Sequence, residues 1–289
     1  MKSKLFTGAC TALVTPFSNG NVNYPMLEKL LARQIESGIR AIVLSGTTGE
    51  APTLSDGEKA EMIHKAKEFT GNDCMIIAGS GSNSTAHAVS LSVEAAQAGA
   101  DALLIVSPYY NKATPEGLVA HYSAIAQQVS IPMILYNVPS RTGLDMPVSV
   151  YRTLSQIPKI AGVKEAGQDL TKITRTLNAC EPGFSVWSGN DDLAVPTIAL
   201  GGQGLISVAA NVCPVEVAAM VDAALDGDLD TASALQHQLQ PLCDLLFCEV
   251  NPIPVKEAMR FIGFDCGECR LPLTGLSPAN RDRMKRFFA

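Results

Sequence analysis

Ala98-Gly-Ala-Asp-Ala-Leu-Leu-Ile105 passes from a helical pattern through a glycine stop into a charge-free apolar run, and Ser37-Gly-Ile-Arg-Ala-Ile-Val-Leu44 repeats the same grammar. Each joint reads as a helix end feeding a strand buried on both faces. Working outward from these two, apolar runs begin near Ala9, Ala41, Cys74, Ala102, Pro132, Ile160, Phe184 and Gly204, about 28 residues apart. Continuous runs of this kind suit parallel strands covered on both sides.

Helical patterns fill the intervals. Residues 24–37 place Leu27, Leu30, Leu31 and Ile35 on one stripe and end at Gly38. Ser55-Asp-Gly-Glu58 has the form of a capping box that opens a helix reaching Phe69 and stopped by Gly71. Helices also fit 85–97, 115–128, 147–154, 170–180, 193–200 and 214–225. Eight strand–helix units in about 225 residues predict an α/β fold, the (β/α)8 TIM barrel. A doubly wound open sheet would place GxGxxG after its first strand, whereas the first run continues into Val14-Thr-Pro-Phe17. Beyond Gly227 no strand pattern remains, and 228–249, 252–262 and 278–288 read as three helices. The expected division is a barrel carrying the active site over 1–227 and a small C-terminal all-helical domain over 228–289.

Composition bounds the partners. The chain has 289 residues, 47% hydrophobic and 17% charged, enough apolar side chains for a sizeable core. Net charge is -6, and the basic cluster Arg281, Arg283, Lys285, Arg286 is short, so no nucleic-acid partner is expected. Residues 193–215 carry no charge and could span a bilayer by length, but Pro196, Gly201, Gly202, Gly204 and Pro214 break them into helix, turn and strand. Lys2 and Lys4 before 5–14 faintly resemble a signal peptide, yet Thr7, Gly8 and Thr11 interrupt the apolar stretch, which reads as a first strand. A cytoplasmic protein without a membrane segment is expected. Among eight cysteines, Cys243, Cys248, Cys266 and Cys269 are spaced C-x4-C-x17-C-x2-C, near a zinc ribbon. The insert carries a helical pattern at 255–262 instead of a hairpin, so packed thiols and no metal are expected.

In a barrel the active site lies at the carboxyl ends of the strands. The polar residues closing the apolar runs include Thr15, Thr47, Thr48, Tyr109, Tyr110, Tyr136, Lys164 and Ser207. His64, His87, His121 and His237 fall in helical patterns instead, and no carboxylate pair converges. Metal hydrolysis and Ser-His-Asp chemistry therefore lack their parts. Of twelve lysines only Lys164 closes a strand-like run. With period 2, Ile160, Gly162 and Lys164 share a face, Gly162 leaving space below the amine. An amine in apolar surroundings is poorly solvated as ammonium, and its neutral form attacks a ketone to give a cationic imine. The plainer alternative is a salt bridge from Lys164 to Glu165. Lys256 shares the Val-Lys-Glu context but opens a helix after Pro252 and Pro254, and reads as structural. Tyr136 ends the strand next to that of Lys164, and its phenol can donate and accept protons; the plainer alternative is core or rim packing. The glycine-bounded Thr47-Thr48 turn offers N–H groups and hydroxyls to a carboxylate, and Arg141 reads either as a bidentate grip on a carboxylate or as an exposed loop arginine.

Gly46-Thr-Thr-Gly-Glu50, Pro108-Tyr-Tyr-Asn111, Tyr136-Asn-Val-Pro-Ser-Arg-Thr-Gly143, Gly162-Val-Lys-Glu-Ala166, Gly204-Leu-Ile-Ser-Val208 and Asn251-Pro-Ile-Pro-Val-Lys256 follow one another in the chain. Together they resemble the 4-hydroxy-tetrahydrodipicolinate synthase (dihydrodipicolinate synthase) family, from about residue 6 to 273. The resemblance implies a pyruvate-dependent class I aldolase-like barrel with no metal or organic cofactor, usually a homotetramer built as a dimer of dimers. It implies condensation of pyruvate with L-aspartate 4-semialdehyde on the diaminopimelate route to lysine. By the same resemblance Lys164 forms the imine and Tyr136 donates the proton. Thr47 and Tyr110 complete a relay, Tyr110 reaching in from a neighbouring subunit. Thr48 and the backbone of Ile206 contact pyruvate, Arg141 grips the carboxylate of the semialdehyde, and Gly189 lines the second-substrate site.

Some positions depart from the family pattern. Ala166-Gly167-Gln168 stands where Ala-Thr-Gly is usual. In lysine-inhibited relatives an inter-subunit cleft holds the effector with acidic and histidine side chains. Here those positions read Ala51, Asp56, Lys59 and His87, although Asn83 and Tyr109 match, so weak or absent lysine feedback is expected. Two other functions compete: an N-acetylneuraminate lyase or 2-keto-3-deoxy sugar acid aldolase sharing Lys164 and Tyr136, and a non-catalytic keto-acid-binding barrel. The Thr47-Thr48 pair and Arg141 argue against the first, and the retained lysine and tyrosines against the second.

Overall fold

The computed structural model of the chain describes residues 5–289; Lys2 and Lys4 lie outside them. Eight strands, β1 (Gly8–Ala12), β2 (Ala41–Leu44), β3 (Met75–Gly79), β4 (Ala102–Val106), β5 (Met133–Asn137), β6 (Ile160–Glu165), β7 (Ser185–Ser188) and β8 (Gly204–Ser207), form a closed barrel. All pairs are parallel, and β1 closes the ring by pairing with both β8 and β2. The barrel helices are α1 (Tyr24–Glu36), α2 (Asp56–Thr70), α3 (Thr85–Gln97), α4 (Pro115–Gln128), α5 (Val148–Leu154), α6 (Leu170–Ala179), α7 (Ala194–Ala199) and α8 (Pro214–Leu225). The run 193–215 is thus divided among α7, a turn, β8 and a short 3-10 turn. No helix among the described residues is long and apolar enough to cross a membrane.

Local chemistry sets the helix starts. The Ser55/Glu58 capping box is formed in both directions: the Ser55 hydroxyl accepts from Glu58 N at 3.2 Å and Glu58 accepts from Ser55 N at 2.9 Å. Asn23 caps α1 and Thr114 caps α4, each just before a proline in the first turn. A two-stranded hairpin, Phe17–Ser18 with Asn21–Val22, lies between β1 and α1.

The alternation of strand side chains divides the apolar residues into two cores. Inside the barrel lie Cys10, Val43, Ile77, Leu104, Ile134, Trp187 and Ile206. Phe6 stacks on Trp187 with centroids 4.8 Å apart within this inner core. Between barrel and helices lies the larger core, including the Leu27, Leu30, Leu31 stripe of α1.

Two expectations about β6 are corrected. Ile160 does not share a face with Gly162 and Lys164; it packs in the outer core, because the register shifts between Met133 and Ile134, whose partners are Ile160 and Gly162. The extra residue is a bulge that re-aims the rest of the strand. Nor does Gly162 leave open space. A Cβ there would stand 2.0 Å from the Ser185 carbonyl oxygen and 2.8 Å from the Trp187 ring, so the glycine permits a close approach already filled.

After α8 come α9 (Leu229–Leu246), α10 (Ile253–Phe261) and α11 (Pro278–Phe288). α9 packs along α8, and α10 along α9. All eight cysteines are free thiols. No group of three or more His, Cys, Asp or Glu side chains among the described residues is gathered to hold a metal.

Candidate active site

A cavity of about 620 Å³ opens at the carboxyl ends of the strands, with Lys164, Tyr136, Thr47, Thr48, Gly189 and Arg141 in its wall. Lys164 sits on β6, 5% exposed, paired in register with Tyr136 on β5 and Trp187 on β7. Its Nζ lies 4.6 Å from the centroid of the Tyr136 ring and makes no hydrogen bond or ion pair among the described residues. The salt bridge to Glu165 does not form. Glu165 points out of the barrel, where it accepts from Asn137 Nδ2 at 2.7 Å, Tyr151 OH at 3.0 Å and Gly167 N at 2.8 Å. Lys172 supplies its counter-charge at 3.4 Å. Burial and the neighbouring Glu165 carboxylate push the Tyr151 phenol well above its ordinary range. The residues following Tyr136 and Lys164 are therefore bonded to each other behind the site, which fixes the two strand ends side by side.

The β2 loop carries the threonines. Thr48 is buried, and its hydroxyl accepts from Asn251 Nδ2 at 3.0 Å. That bond occupies acceptor capacity, so the Thr48 proton is free for an acceptor in the cavity. Thr47 is half-buried and lines the cavity beside it. Gly189 follows β7; a Cβ there would stand 2.7 Å from Ala166 Cβ and 3.0 Å from Lys164 Cε, so only glycine lets this backbone lie against the lysine. Arg141 is exposed at the mouth, on the short helical turn Pro139–Thr142, and donates to the Asn251 carbonyl at 3.2 Å. Ile206 is fully buried in the inner core on β8.

Tyr110 is not brought to this cavity. It is 92% exposed, with a left-handed backbone at φ 70.

Several wall residues went unread in the sequence. Asn251 comes from just before α10, and Phe247 from the end of α9. Asp145, Lys172 and Asp191 add charged groups to the wall. Asp191 is buried, and burial pushes its carboxyl up, opposed by bonds from Ser207 and the N–H groups of Val208 and Ala209 and by Lys164. The one signal for Asn251 was the Asn-Pro-Ile-Pro motif, which carries no role by its residue types.

A second cavity of about 430 Å³ shares Thr47, Tyr136 and Arg141 and extends to Asp56, Lys59, His87 and Tyr109. Asp56 is taken on both sides: His87 Nε2 lies 3.0 Å from one oxygen and Lys59 Nζ 3.4 Å from the other. The His87 bond leads the causes that hold the Asp56 carboxyl below its usual range.

The dihydrodipicolinate synthetase family model matches residues 5–288. The 4-hydroxy-tetrahydrodipicolinate synthase of Acetivibrio thermocellus is 44% identical over 99% of this chain and 97% of its own length. The crystal structure of dihydrodipicolinate synthase from Aquifex aeolicus, 41% identical, covers 98% of this chain and 97% of its own, with a TM-score of 0.95. The enzyme from Cyanidioschyzon merolae, solved with lysine bound, has the same TM-score at 38% identity, over 98% of this chain and 97% of its own. An amine on a barrel strand beside a tyrosine, framed by paired threonines, in a chain matched over nearly its whole length, leads to one conclusion: the chain belongs to the dihydrodipicolinate synthetase family.

Proposed function

We propose that the chain condenses pyruvate with L-aspartate 4-semialdehyde to give 4-hydroxy-tetrahydrodipicolinate, with Lys164 as the covalent nucleophile. The observation that carries this reading is the Lys164 amine, buried, unpaired and lying against Tyr136 at the carboxyl end of the barrel. Its lone pair attacks C2 of pyruvate, and loss of water leaves an iminium whose positive charge draws electrons from C3. Removal of a C3 proton gives the enamine, which attacks the aldehyde carbon of the second substrate and forms the new C–C bond. The substrate's own amine then adds to C2 and displaces Lys164 as the ring closes, so one water leaves per turnover.

In this reading Tyr136, with Thr47 and a partner subunit's copy of Tyr110, moves the protons. The Thr48 hydroxyl and the backbone at Ile206 orient the pyruvate, Arg141 grips the semialdehyde carboxylate, and Gly189 lines the approach. The imine supplies the electron sink, so the reaction as proposed calls on no metal or organic cofactor. The exposure of Tyr110 supports a homotetramer in which that ring completes a neighbour's site. A cytoplasmic location fits small polar substrates of this kind.

The test is borohydride reduction in the presence of pyruvate, followed by mass measurement and peptide mapping. A pyruvyl adduct on Lys164 that vanishes in Lys164→Ala, together with turnover of pyruvate plus aspartate semialdehyde, is the expected result. A Lys164→Ala protein with full condensing activity refutes it. Faster cleavage of a sugar acid than condensation of the semialdehyde would move the assignment to the sugar-acid aldolases.

A further inference from the structure

The Thr47-Thr48 turn ends at Glu50, which is buried at the mouth of a barrel yet has a left-handed backbone at φ 57. Both of its carboxylate oxygens are held by the C-terminal part of the chain. Lys256 Nζ, on α10, lies 2.9 Å from Oε1, and the backbone N–H of Arg270 donates to Oε2 at 2.8 Å. The two charged side chains are 3% and 0% exposed. The lysine also donates to the Glu268 carbonyl at 3.1 Å and sits 4.5 Å over the Phe17 ring. From the same segment Asn251 holds the Thr48 hydroxyl and receives Arg141. On the barrel side the turn is fixed by Glu50 N donating to the Thr47 carbonyl at 3.1 Å and by Thr15 donating to the Gly49 carbonyl at 2.7 Å.

A buried ion pair is a poor source of stability, because desolvation offsets the attraction and an apolar pair of like volume packs as well. What a charged pair adds is direction: the carboxylate must face the ammonium, and that fixes the turn from which Glu50 hangs. Two residues upstream stands Thr48, whose hydroxyl orientation decides whether a carboxylate in the cavity is met. We propose that Glu50 and Lys256 are positioning residues, through which the C-terminal helices hold the Thr47-Thr48 turn in the geometry that receives the keto acid. The proposal rests on the pyruvate reading given above for Thr48.

The experiment compares the parent, Thr48→Val, Lys256→Arg and the double variant Glu50→Gln/Lys256→Met, the last removing both charges together. Steady-state KM and kcat for pyruvate are measured with the rate of borohydride-trappable adduct and with Tm. The double variant is expected to fold with a Tm near that of the parent. Its KM for pyruvate should rise about tenfold or more, and the Lys164 adduct should still form at saturating pyruvate. A folded double variant with unchanged pyruvate KM overturns the proposal. If the double variant does not fold, Lys256→Arg decides. It keeps the charge but changes the shape of the head group, so raised KM at unchanged Tm supports positioning, and unchanged KM overturns it. Failure of the parent to form any pyruvyl adduct would instead sink the functional reading, and unchanged KM in Thr48→Val alone would sink the role given to Thr48.

Discussion

Gly189→Ala is the sharpest perturbation available, because it adds one carbon beside the Lys164 side chain and nothing else. Gly189 does not occupy the left-handed region, so its backbone accepts alanine without strain. The new Cβ would stand 2.7 Å from Ala166 Cβ and 3.0 Å from Lys164 Cε. Carbon–carbon contact is favourable from about 3.5 Å, so the neighbours must retreat by about 0.8 and 0.5 Å. Ala166 is tethered through its N–H to the Asn137 carbonyl at 2.9 Å, and Gly189 through its own to the Glu165 carbonyl at 2.7 Å. The lysine side chain is the softest of the three and takes up its own 0.5 Å, while the 0.8 Å at Ala166 has to come from the two strand ends. A 1 Å misplacement costs roughly a hundredfold, so half that predicts about a tenfold loss in kcat/KM, or about 1.4 kcal/mol. The assay is the rate of borohydride trapping with pyruvate beside steady-state condensation, with Tm as the control for folding. A folded Gly189→Ala protein that traps pyruvate and condenses at the parent rate would refute the placement of Gly189 against the lysine.

Three more outcomes are expected. The Arg270 guanidinium, 2.5 and 2.9 Å from the two Glu58 oxygens, holds that carboxyl down at about 2 from its ordinary 4.5, so its stabilisation is present above pH 4.5 and lost as pH falls towards 2. At most about 3 kcal/mol is involved, less for partial exposure, and denaturant unfolding across that window should show a flatter acid limb in Glu58→Gln. Trp187, the single tryptophan, adjoins Lys164 in register, so pyruvate should change its emission in the parent and leave it unchanged in Lys164→Ala. L-Lysine at millimolar concentration should leave the rate within about twofold, because Asp56 is already engaged by Lys59 and His87 and offers no free acid to an ammonium; strong inhibition in a rate assay would contradict this.

The barrel was legible because each strand announces itself as a short apolar run, and Lys164 stood out as a charge where such a run ends. The inward aim of Lys164 followed from period 2 at Gly162, but not at Ile160, since a bulge depends on the pairing of two strands and leaves no mark on either alone. Glu165 entered the sequence reading only as a possible partner of Lys164, and its actual partners Asn137, Tyr151 and Lys172 belong to three different elements. Asn251 and Lys256 escaped for a related reason. They meet Thr48 and Glu50 across more than two hundred residues of chain, and a Pro-rich helix start says nothing of what it touches. Tyr110 shows the opposite limit: one chain displays its exposure and nothing of the relay role that the family resemblance implies.

The packed inner core, with Phe6 stacked on Trp187 among it, makes the barrel a blind alley. Whatever reaches the amine must travel down from the strand ends and return by the same door. In the reading proposed for this site, a guest beside Arg141 would block the road for one bound deeper, so the small keto acid would be seated before the aldehyde.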